Sequence, residues 1–481
     1  MAEHEFDVVV IGAGPSGEIA AARLADGGLR VALIEDDVVG GECSFYACMP
    51  SKALLRPGEI LAETRRIPGA AEALTGELDV PAVLARRDEV IHDLDDSGQL
   101  PWLEQKGITL FRGVGRLDGE RRVIVGDEVL RAARAVVLAS GSTALIPPIP
   151  GLADAAAWTS REVTTLKQPP ASLIILGGGV VGVEMAQAWS SLGTRVTLIE
   201  ALDRLIAREE PIAGEQVQSA LQAAGVEVRL GVKATAVHGR AAAGDHADAT
   251  PLADPPDGGA VRVELADGRR LTAEHLLVAI GRHPHTDRLG LETVGLTPGQ
   301  SVDVDDRLQV PSHDWLYAVG DVNGRALLTH AGKYQARITA DNILGRAATA
   351  FADGPRSPRV IFTDPQVAAV GETLAAAQEA GRNAEAIDLD TAGTAGASFV
   401  GKDTAGTSRF VIDLDRQVLV GVTYVGFEVA DFLQAATVAV VGEVPLPRLA
   451  HAIAPFPTRS ELWLKLIEAF ESRHGLSLHT G

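Results

Sequence analysis

Cysteine is almost absent from this chain of 481 residues, which contains only Cys43 and Cys48. Two cysteines cannot form the multi-disulfide framework of a small secreted protein. We therefore expect a protein of the reducing cytoplasm in which the two thiols act as one pair. The alternative interpretation is two buried thiols without chemistry, and the glycine-rich sequence around them, "GGECSFYACMPSK", argues against it.

Three further absences narrow the class of protein. No apolar run approaches the roughly 18 residues that a membrane-spanning helix needs. The opening "MAEHEFDVVVIG" has no basic region before its first apolar segment, so we expect no secretory signal. Positive charge is in deficit, and the net charge of −21 argues against nucleic acid or an anionic membrane surface as partner. The length suits two to four domains, and we expect a small-molecule partner and no metal site.

The main positive feature is an internal repeat. "DVVVIGAGPSG" (7–17) and "SLIILGGGVVG" (172–182) each combine an apolar strand, a G-x-G-x-x-G motif and the start of a helical pattern. A second strand then ends at Glu35 in the first copy and at Glu200 in the second, 23 residues after the first glycine in both (35 − 12 and 200 − 177). One such motif is a weak signal, whereas two with an acid at the expected distance strongly indicate two dinucleotide-binding units. The glycines are Gly12, Gly14 and Gly17, and Gly177, Gly179 and Gly182.

Each position of this motif has its own physical reason. The first glycine permits a tight turn, the second lets the backbone approach a pyrophosphate, and the third lets helix and strand pack closely. The pyrophosphate binds the free amides of the helix N-terminus, and the acid accepts hydrogen bonds from a ribose diol. Glycines that serve only tight turns are the plainer alternative.

Sequence texture divides the rest of the chain. Apolar runs that end in glycine at 135–142, 275–282 and 315–324 are typical of strands leaving a nucleotide-binding domain, and the turn-rich segment 239–260 is predicted as a surface loop. From about residue 350, alternating strands followed by helical segments predict a separate α+β domain. We therefore predict an α/β fold with two doubly wound, Rossmann-like nucleotide-binding domains and a C-terminal α+β domain. The predicted boundaries are 1–150, 151–285, 286–350 and 351–481.

The spacing of the two cysteines limits their geometry. In a regular helix, Cα atoms five positions apart lie roughly 8.6 Å from one another, whereas a disulfide needs less than about 7 Å. A Cys43–Cys48 bond therefore requires a distorted first turn. Strain of this kind makes the bond easier to reduce, which suits catalysis better than stability, and a helix N-terminus favours the reactive thiolate.

The same stretch resembles the G-G-x-C-x₄-C-x-P-[ST]-K signature of the class I pyridine nucleotide-disulfide oxidoreductases, a family that includes dihydrolipoyl dehydrogenase, glutathione reductase, mycothione reductase and mercuric reductase. The resemblance extends over the two glycine motifs, "ASGS", "AIGRHP", "AVGD" and the C-terminal domain. It implies an FAD-containing oxidoreductase that uses NAD(P)H and is a homodimer through its last domain. The sequence Ser44–Ala47 departs from the usual residues between the cysteines by placing Phe45 and Tyr46 there.

The resemblance also implies roles for individual residues. Cys48 faces the flavin and forms the charge-transfer complex, and Cys43 is the interchange thiol that attacks the substrate. Lys52, which also contacts the cofactor, pairs with Glu184 where hydride arrives. The residues that resemblance and motif together assign to FAD are Gly12, Gly14, Gly17, Glu35, Gly115, Gly141, Asp321 and His330; those assigned to NAD(H) are Gly177, Gly179, Gly182, Glu200 and Gly281.

The second acid indicates which nicotinamide is used. A carboxylate at Glu200 accepts bonds from a free 2′-hydroxyl and repels a 2′-phosphate, so NADH is predicted. The following "ALDRL" lacks the basic pair of a phosphate clamp and contains only Arg204, the residue that keeps NADPH open as an alternative.

One expected residue is missing near the C-terminus. Family members that act on thiols carry H-P-T-x-x-E there, with a proton-shuttling histidine, whereas this chain reads "APFPTRSE" with Phe456 in place of the histidine and Glu461 retained. General acid–base catalysis is worth about 10²–10⁴ in rate, so a thiol-specific reaction should be slow. His451 is a weak candidate to substitute.

Three functional hypotheses follow. The first is NADH-driven reduction of the Cys43–Cys48 disulfide and then of a small disulfide, or the reverse, as in dihydrolipoyl dehydrogenase. The second keeps that reductive half but passes electrons to a quinone or a metal ion. The third resembles ketopropyl-coenzyme M oxidoreductase/carboxylase, which also has phenylalanine at this site but replaces the glutamate. Mercuric reductase itself is disfavoured because "RHGLSLHTG" holds no cysteine pair, and a non-enzymatic redox sensor is the remaining alternative.

Overall fold

The computed structural model describes residues 2–239, 260–402 and 404–479. The interior of the predicted surface loop, 240–259, lies outside the described residues. The chain folds as two compact units, each built from three segments. The first unit comprises Met1–Pro50, Arg86–Leu145 and Gly281–Gly354, and the second comprises Ser51–Ala85, Ile146–Ile280 and Pro355–Gly481.

The first unit is organised around a mostly parallel sheet. Its centre is the strand Ala2–Ile11, which pairs in parallel with Val31–Glu35 on one side and Glu128–Leu138 on the other. The residues Val8–Ile11 are buried, as expected for a parallel strand covered on both faces. The strands are, in spatial order, Thr109–Arg112, Val31–Glu35, Ala2–Ile11, Glu128–Leu138, Arg122–Val125 and Gly115–Leu117, with Leu316–Ala318 also pairing with Glu128–Leu138 and a separate antiparallel pair of Ser142–Ala144 and Arg282–Pro284.

The second unit repeats the parallel arrangement on a smaller scale. Four parallel strands are ordered Glu227–Arg229, Arg195–Ile199, Ser172–Leu176 and His275–Val278. Three antiparallel strands follow the order Ala234–His238, Val261–Leu265 and Arg270–Ala273.

The C-terminal part of the second unit is antiparallel. Its five strands are ordered Arg359–Ile361, Gln366–Gly371, Val418–Gly426, Thr407–Asp413 and Ala384–Asp390. Buried residues such as Phe410 and Tyr424 of this sheet share a core with Leu433 and Phe470 of the following helices. Two parallel nucleotide-type sheets and an antiparallel last domain confirm the predicted fold class.

Helices connect and flank these sheets. The α-helices of the described residues are Pro15–Asp26, Gly41–Phe45, Cys48–Arg65, Val80–Val90, Leu100–Gln105, Ser160–Thr165, Val180–Ser191, Pro211–Ala223, Thr329–Ile343, Leu374–Glu379, Val429–Val441, Leu446–Leu449 and Leu462–His474. The 3-10 turns are Ala71–Ala73, His92–Leu94, Ser97–Gln99, Leu291–Val294, Gly320–Asn323, Gly396–Phe399 and Arg459–Glu461. Within residues 2–239, 260–402 and 404–479, no helix combines the length and the apolar character needed to cross a membrane.

Candidate active site

The first glycine motif forms a tight strand-to-helix turn. Gly12 has φ +103°, and a Cβ there would lie 2.4 Å from the carbonyl oxygen of Ala139. A Cβ on Gly17 would lie 1.9 Å from the carbonyl oxygen of Gly12, so only glycine lets helix and strand approach this closely. Gly14 begins the helix without a side-chain cap, and a Cβ on it would meet only the Cα of Gly41, at 3.9 Å. The helix start therefore keeps free amides and open space in front of them.

Glu35 closes the same turn from the end of the neighbouring strand. Its Oε2 accepts the amide of Ala13 at 2.7 Å and its Oε1 accepts the amide of Asp37 at 2.9 Å. Burial raises the pKa of this carboxyl, and the two amide hydrogen bonds oppose that rise. A carboxylate has about four acceptor positions, so two remain for a ribose diol.

The second motif repeats this geometry almost atom for atom. Gly177 has φ +107° with a hypothetical Cβ 2.4 Å from the oxygen of Ala279, and a Cβ on Gly182 would lie 1.9 Å from the oxygen of Gly177. A Cβ on Gly179 would meet nothing within 4 Å, which leaves space for a ligand at this helix start. Glu200 accepts the amide of Gly178 at 2.6 Å and that of Leu202 at 2.8 Å. Both units therefore contain a cradle that a dinucleotide fits, with Glu35 and Glu200 in equivalent places.

Asp321 lies in a polar cluster of the first unit. Its Oδ2 accepts the hydroxyl of Ser142 at 2.5 Å and lies 3.8 Å from Nε of Arg282. Arg282 also donates to Ser142 Oγ at 2.6 Å and forms a short ion pair with Glu42, the neighbour of Cys43. Burial raises the pKa of Asp321, opposed by Ser142 and Arg282. The cluster leaves Asp321 able to hold a hydroxylated chain such as the ribityl group of FAD.

Arg282 was missed by the sequence reasoning. The quoted motif "AIGRHP" contains it, but only the preceding Gly281 was assigned a role. An arginine that directly follows a strand-ending glycine was the available signal.

The two cysteines belong to two different helices. Cys43 lies in the short helix Gly41–Phe45, and Cys48 begins the helix Cys48–Arg65. The break falls at Tyr46, which has φ −130° and ψ −1°. The distortion that the five-residue spacing requires is therefore present.

The thiols contact each other and one hydroxyl. The Oγ1 of Thr329 donates to the Sγ of Cys43 at 3.0 Å and lies 3.7 Å from the Sγ of Cys48. The pKa of the Cys43 thiol is raised, first because its proton is held in a hydrogen bond to Cys48 and second because it is buried. The Thr329 hydroxyl and the positive charge of Lys333 lower it. The pair is thus arranged so that one proton is shared between two sulfurs.

Lys52 and Glu184 form an ion pair within the second unit. The Nζ of Lys52 lies 2.7 Å from Oε2 of Glu184, whose side chain is only 3% exposed. The other carboxylate oxygen of Glu184 accepts the amide of Phe362 at 3.0 Å, and the lysine also lies over the ring of Phe362. The structure therefore brings together the two residues that the sequence analysis paired.

The C-terminal segment holds the residues that replace the expected histidine site. Phe456 is 77% exposed. Glu461 has an oxygen, Oε2, that is buried without a hydrogen-bond partner among the described residues. His451 is exposed and contacts the ring of His479 edge-on. The glutamate therefore has acceptor capacity that a side chain at position 456 does not use.

The remaining predicted residues are placed as follows. Gly115 lies in a buried strand, where a Cβ would lie 3.0 Å from Ile34, directly before Glu35. Gly141 has φ +72° and open space around a hypothetical Cβ, and Gly281 has φ +149°. His330 is exposed on the helix that begins at Thr329. No group of three or more histidine, cysteine or acidic side chains in the described part of the chain is arranged to hold a metal ion.

Comparison with known proteins agrees with this geometry. The sequence profile described as "Pyridine nucleotide-disulphide oxidoreductase" matches residues 6–354, and that described as its dimerisation domain matches residues 357–467. Dihydrolipoyl dehydrogenase 3 of Pseudomonas aeruginosa is 34% identical over 380 residues, covering 76% of this chain and 77% of its own. A mercuric reductase of Shigella flexneri is 32% identical, covering 94% of this chain and 79% of its own.

A solved structure shows the same fold over nearly the full length. The HOCl-induced flavoprotein disulfide reductase RclA from Escherichia coli superposes with a TM-score of 0.80 at 25% identity, covering 95% of this chain and 98% of its own. Relatives of this family are enzymes that use FAD and NAD(P)H and act on sulfur groups. The chain belongs to the pyridine nucleotide-disulfide oxidoreductase family and carries that family's dimerisation domain.

Proposed function

We propose that this enzyme moves electrons from NADH to the Cys43–Cys48 pair and from there to a small disulfide. The observation that carries the proposal is the contact between the two thiols on either side of a helix break, with the Thr329 hydroxyl 3.0 Å from Cys43. FAD, when bound in the first unit, supplies the passage of two electrons between the nicotinamide and the sulfurs. The residues that would hold it are Gly12, Gly14, Gly17, Glu35, Gly115, Gly141, Asp321 and His330.

The sulfur chemistry follows from the arrangement. The Cys43 thiolate attacks the substrate disulfide, forms a mixed disulfide and expels one substrate thiolate. The Cys48 thiolate then attacks the sulfur of Cys43 and expels the second, which restores the Cys43–Cys48 bond. Lys52 and Glu184 keep the role that the resemblance implies, a fixed charge pair at the hydride-transfer step.

NADH rather than NADPH is part of the proposal. Glu200 already faces the second glycine turn through two amide hydrogen bonds, in the position where a carboxylate opposes a 2′-phosphate. Arg204, the one nearby cation that could favour NADPH, donates to the carbonyl of Ala207 at 2.7 Å. Its guanidinium is therefore engaged within its own loop. The residues that would hold NADH are Gly177, Gly179, Gly182, Glu200 and Gly281.

A homodimer is also proposed, with the domain division 1–150, 151–285, 286–350 and 351–481. Large apolar side chains are exposed in the C-terminal part of the second unit, where a partner would cover them. They are Phe399 (69% exposed), Val438 (59%), Ile453 (95%), Phe456 (77%) and Leu464 (50%). A cytoplasmic location is proposed from the cysteine content alone.

A non-thiol acceptor is the second candidate, and Phe456 favours it. A quinone or a metal ion accepts electrons with little need for a proton donor, and the Shigella flexneri relative is named a mercuric reductase. The Pseudomonas aeruginosa relative, a dihydrolipoyl dehydrogenase, favours a dithiol substrate. The carbanion-protecting chemistry of the ketopropyl type ranks last because Glu461 is retained.

Anaerobic titration with NADH tests the proposal. The wild type should take up reducing equivalents with a long-wavelength thiolate-to-flavin absorbance band, and Cys48→Ser should lose the band. An acceptor screen with lipoamide, glutathione disulfide, mycothiol disulfide and quinones then identifies the second half-reaction. If Cys43→Ser and Cys48→Ser both retain the full NADH-driven turnover of the best acceptor, the proposal is wrong.

A further inference from the structure

Three helix starts meet beside Cys43 in the first unit. A Cβ on Gly41, which begins the cysteine helix, would lie 2.7 Å from the Cα of Gly14 at the start of the first motif helix. A Cβ on Gly332 would lie 2.2 Å from Oγ of Ser16, so the helices Pro15–Asp26 and Thr329–Ile343 also touch at their first turns. Their later turns are joined by the ion pair of Arg23 with Asp341 at 3.2 Å.

A lysine lies in this junction. Lys333 follows Thr329 by four positions on one helix, and residues spaced in this way lie on the same helical face. The Thr329 hydroxyl donates to Cys43, which directs this face towards the thiol. Lys333 is half-buried and makes no hydrogen bond or salt bridge with the described residues. Its charge lowers the pKa of Cys43.

A carboxyl group lies on the other side of the same lysine. Glu18 belongs to the first turn of the helix Pro15–Asp26. Burial raises its pKa from 4.5 to about 7, the charge of Lys333 opposes this rise, and the carboxylate of Glu35 adds to it. The charged groups around this site are therefore Lys333 and Glu35 for Glu18, and Lys333 and Cys48 for Cys43. A carboxyl that titrates near neutral pH has the acidity that general acid–base catalysis needs.

We propose, resting on the proposed disulfide chemistry, that Lys333 and Glu18 carry the proton exchange at Cys43 that a C-terminal histidine would otherwise carry. Lys333 is a positioning residue that holds the Cys43 thiolate by charge, and Glu18 takes up and returns the proton. Neither residue lies within a motif of the sequence analysis.

The step balances as follows. The Cys43 thiol gives its proton to the Glu18 carboxylate, and the resulting thiolate attacks the substrate disulfide. A Cys43–substrate bond between sulfurs forms, the substrate S–S bond breaks, and the leaving thiolate takes the proton from the Glu18 carboxylic acid. The second substrate thiolate, expelled by Cys48, is protonated from solvent, and the two electrons come from NADH.

The test measures the reactivity of Cys43 rather than turnover alone. The FAD-loaded enzyme is reduced with NADH, and alkylation of Cys43 by iodoacetamide is followed from pH 5 to 9 by peptide mass spectrometry. Lys333→Met should move the midpoint of the alkylation profile upward by about one unit, because a neighbouring opposite charge lowers a pKa by about 1–3 units. Lys333→Arg should keep the wild-type midpoint because arginine keeps the charge. Arg337→Met, an exposed cation one turn further on the same helix, is the matched control and should change nothing.

Glu18→Gln tests the proton carrier. The rate of disulfide reduction should lose its dependence on a group that ionises near pH 7, and turnover at pH 7 should fall about tenfold or more. The alkylation midpoint should not rise. An unchanged midpoint in Lys333→Met, a Lys333→Arg variant that behaves like Lys333→Met, or an unaltered pH–rate profile in Glu18→Gln would each overturn the inference.

The proposed function fails in a different way. Loss of that function appears in the wild type itself, as NADH-driven turnover that survives Cys48→Ser and an absent long-wavelength band. If the band and the cysteine dependence are intact while the Lys333 and Glu18 variants match the wild type, only the inference about the proton exchange is wrong.

Discussion

Replacing Phe456 with histidine tests whether the C-terminal segment limits disulfide reduction. The variant restores a side chain that can donate and accept a proton, next to a glutamate whose Oε2 is buried without a partner among the described residues. Histidine acid–base catalysis is worth about 10²–10⁴ in rate, and we expect about tenfold because Lys333 and Glu18 already exchange protons at Cys43. The assay is NADH-dependent reduction of lipoamide at pH 7 with FAD-loaded enzyme.

Two controls make the result specific. Phe456→Leu removes the ring without adding an acid, and Phe399→His adds a histidine at another exposed phenylalanine of the second unit; neither should increase the rate. In the double variant Phe456→His with Glu461→Gln, part of the gain should be lost because the imidazole is no longer oriented by a carboxylate. A wild type that reduces lipoamide rapidly, together with a Phe456→His variant that is no faster, would refute the reasoning.

Three further predictions concern the ion pair, the nucleotide preference and pH. Lys52→Met should lower the free energy of unfolding by about 3 kcal/mol in urea titrations, since it leaves the buried carboxylate of Glu184 without its cation, whereas Lys52→Arg should cost much less. Glu200→Ala should reduce the preference for NADH over NADPH about tenfold in kcat/KM, and an unchanged ratio would show that this acid does not select the cofactor. The raised pKa of Glu18 stabilises the fold fully below about pH 4.5, and this stabilisation, at most about 3 kcal/mol, is lost as pH rises through 7. Glu18→Gln should therefore flatten the decline of unfolding free energy between pH 5 and 8, and a slope equal to that of the wild type would count against the assignment.

The repeated local geometry was the part of the site most accessible from sequence. Gly12 and Gly177 both need positive φ, and Glu35 and Glu200 both accept the amide that follows the first glycine, so a short motif encodes each turn by local contacts. The break between the cysteines also followed from local arithmetic, because a five-residue spacing is incompatible with a regular helix.

Contacts between distant segments were not accessible in the same way. Glu18 and Lys333 are 315 positions apart (333 − 18), and neither residue type is unusual on a helix surface. Only the packing of their two helices places both beside Cys43. Arg282 joins Ser142 and Glu42 for the same reason. The pairing of Lys52 with Glu184 was foreseen only through the family resemblance, since no spacing rule connects them.

The division of the cysteines between two helices has a consequence for turnover. Each catalytic cycle must bring the sulfurs into bonding distance and let them part again. Because Tyr46 and Ala47 form the junction, this motion is absorbed by the torsion angles of two residues, and the hydrogen-bond ladders on both sides remain closed. Amide hydrogen exchange along Leu54–Arg65 should therefore be the same in oxidised and reduced enzyme, with any difference confined to the residues around that junction.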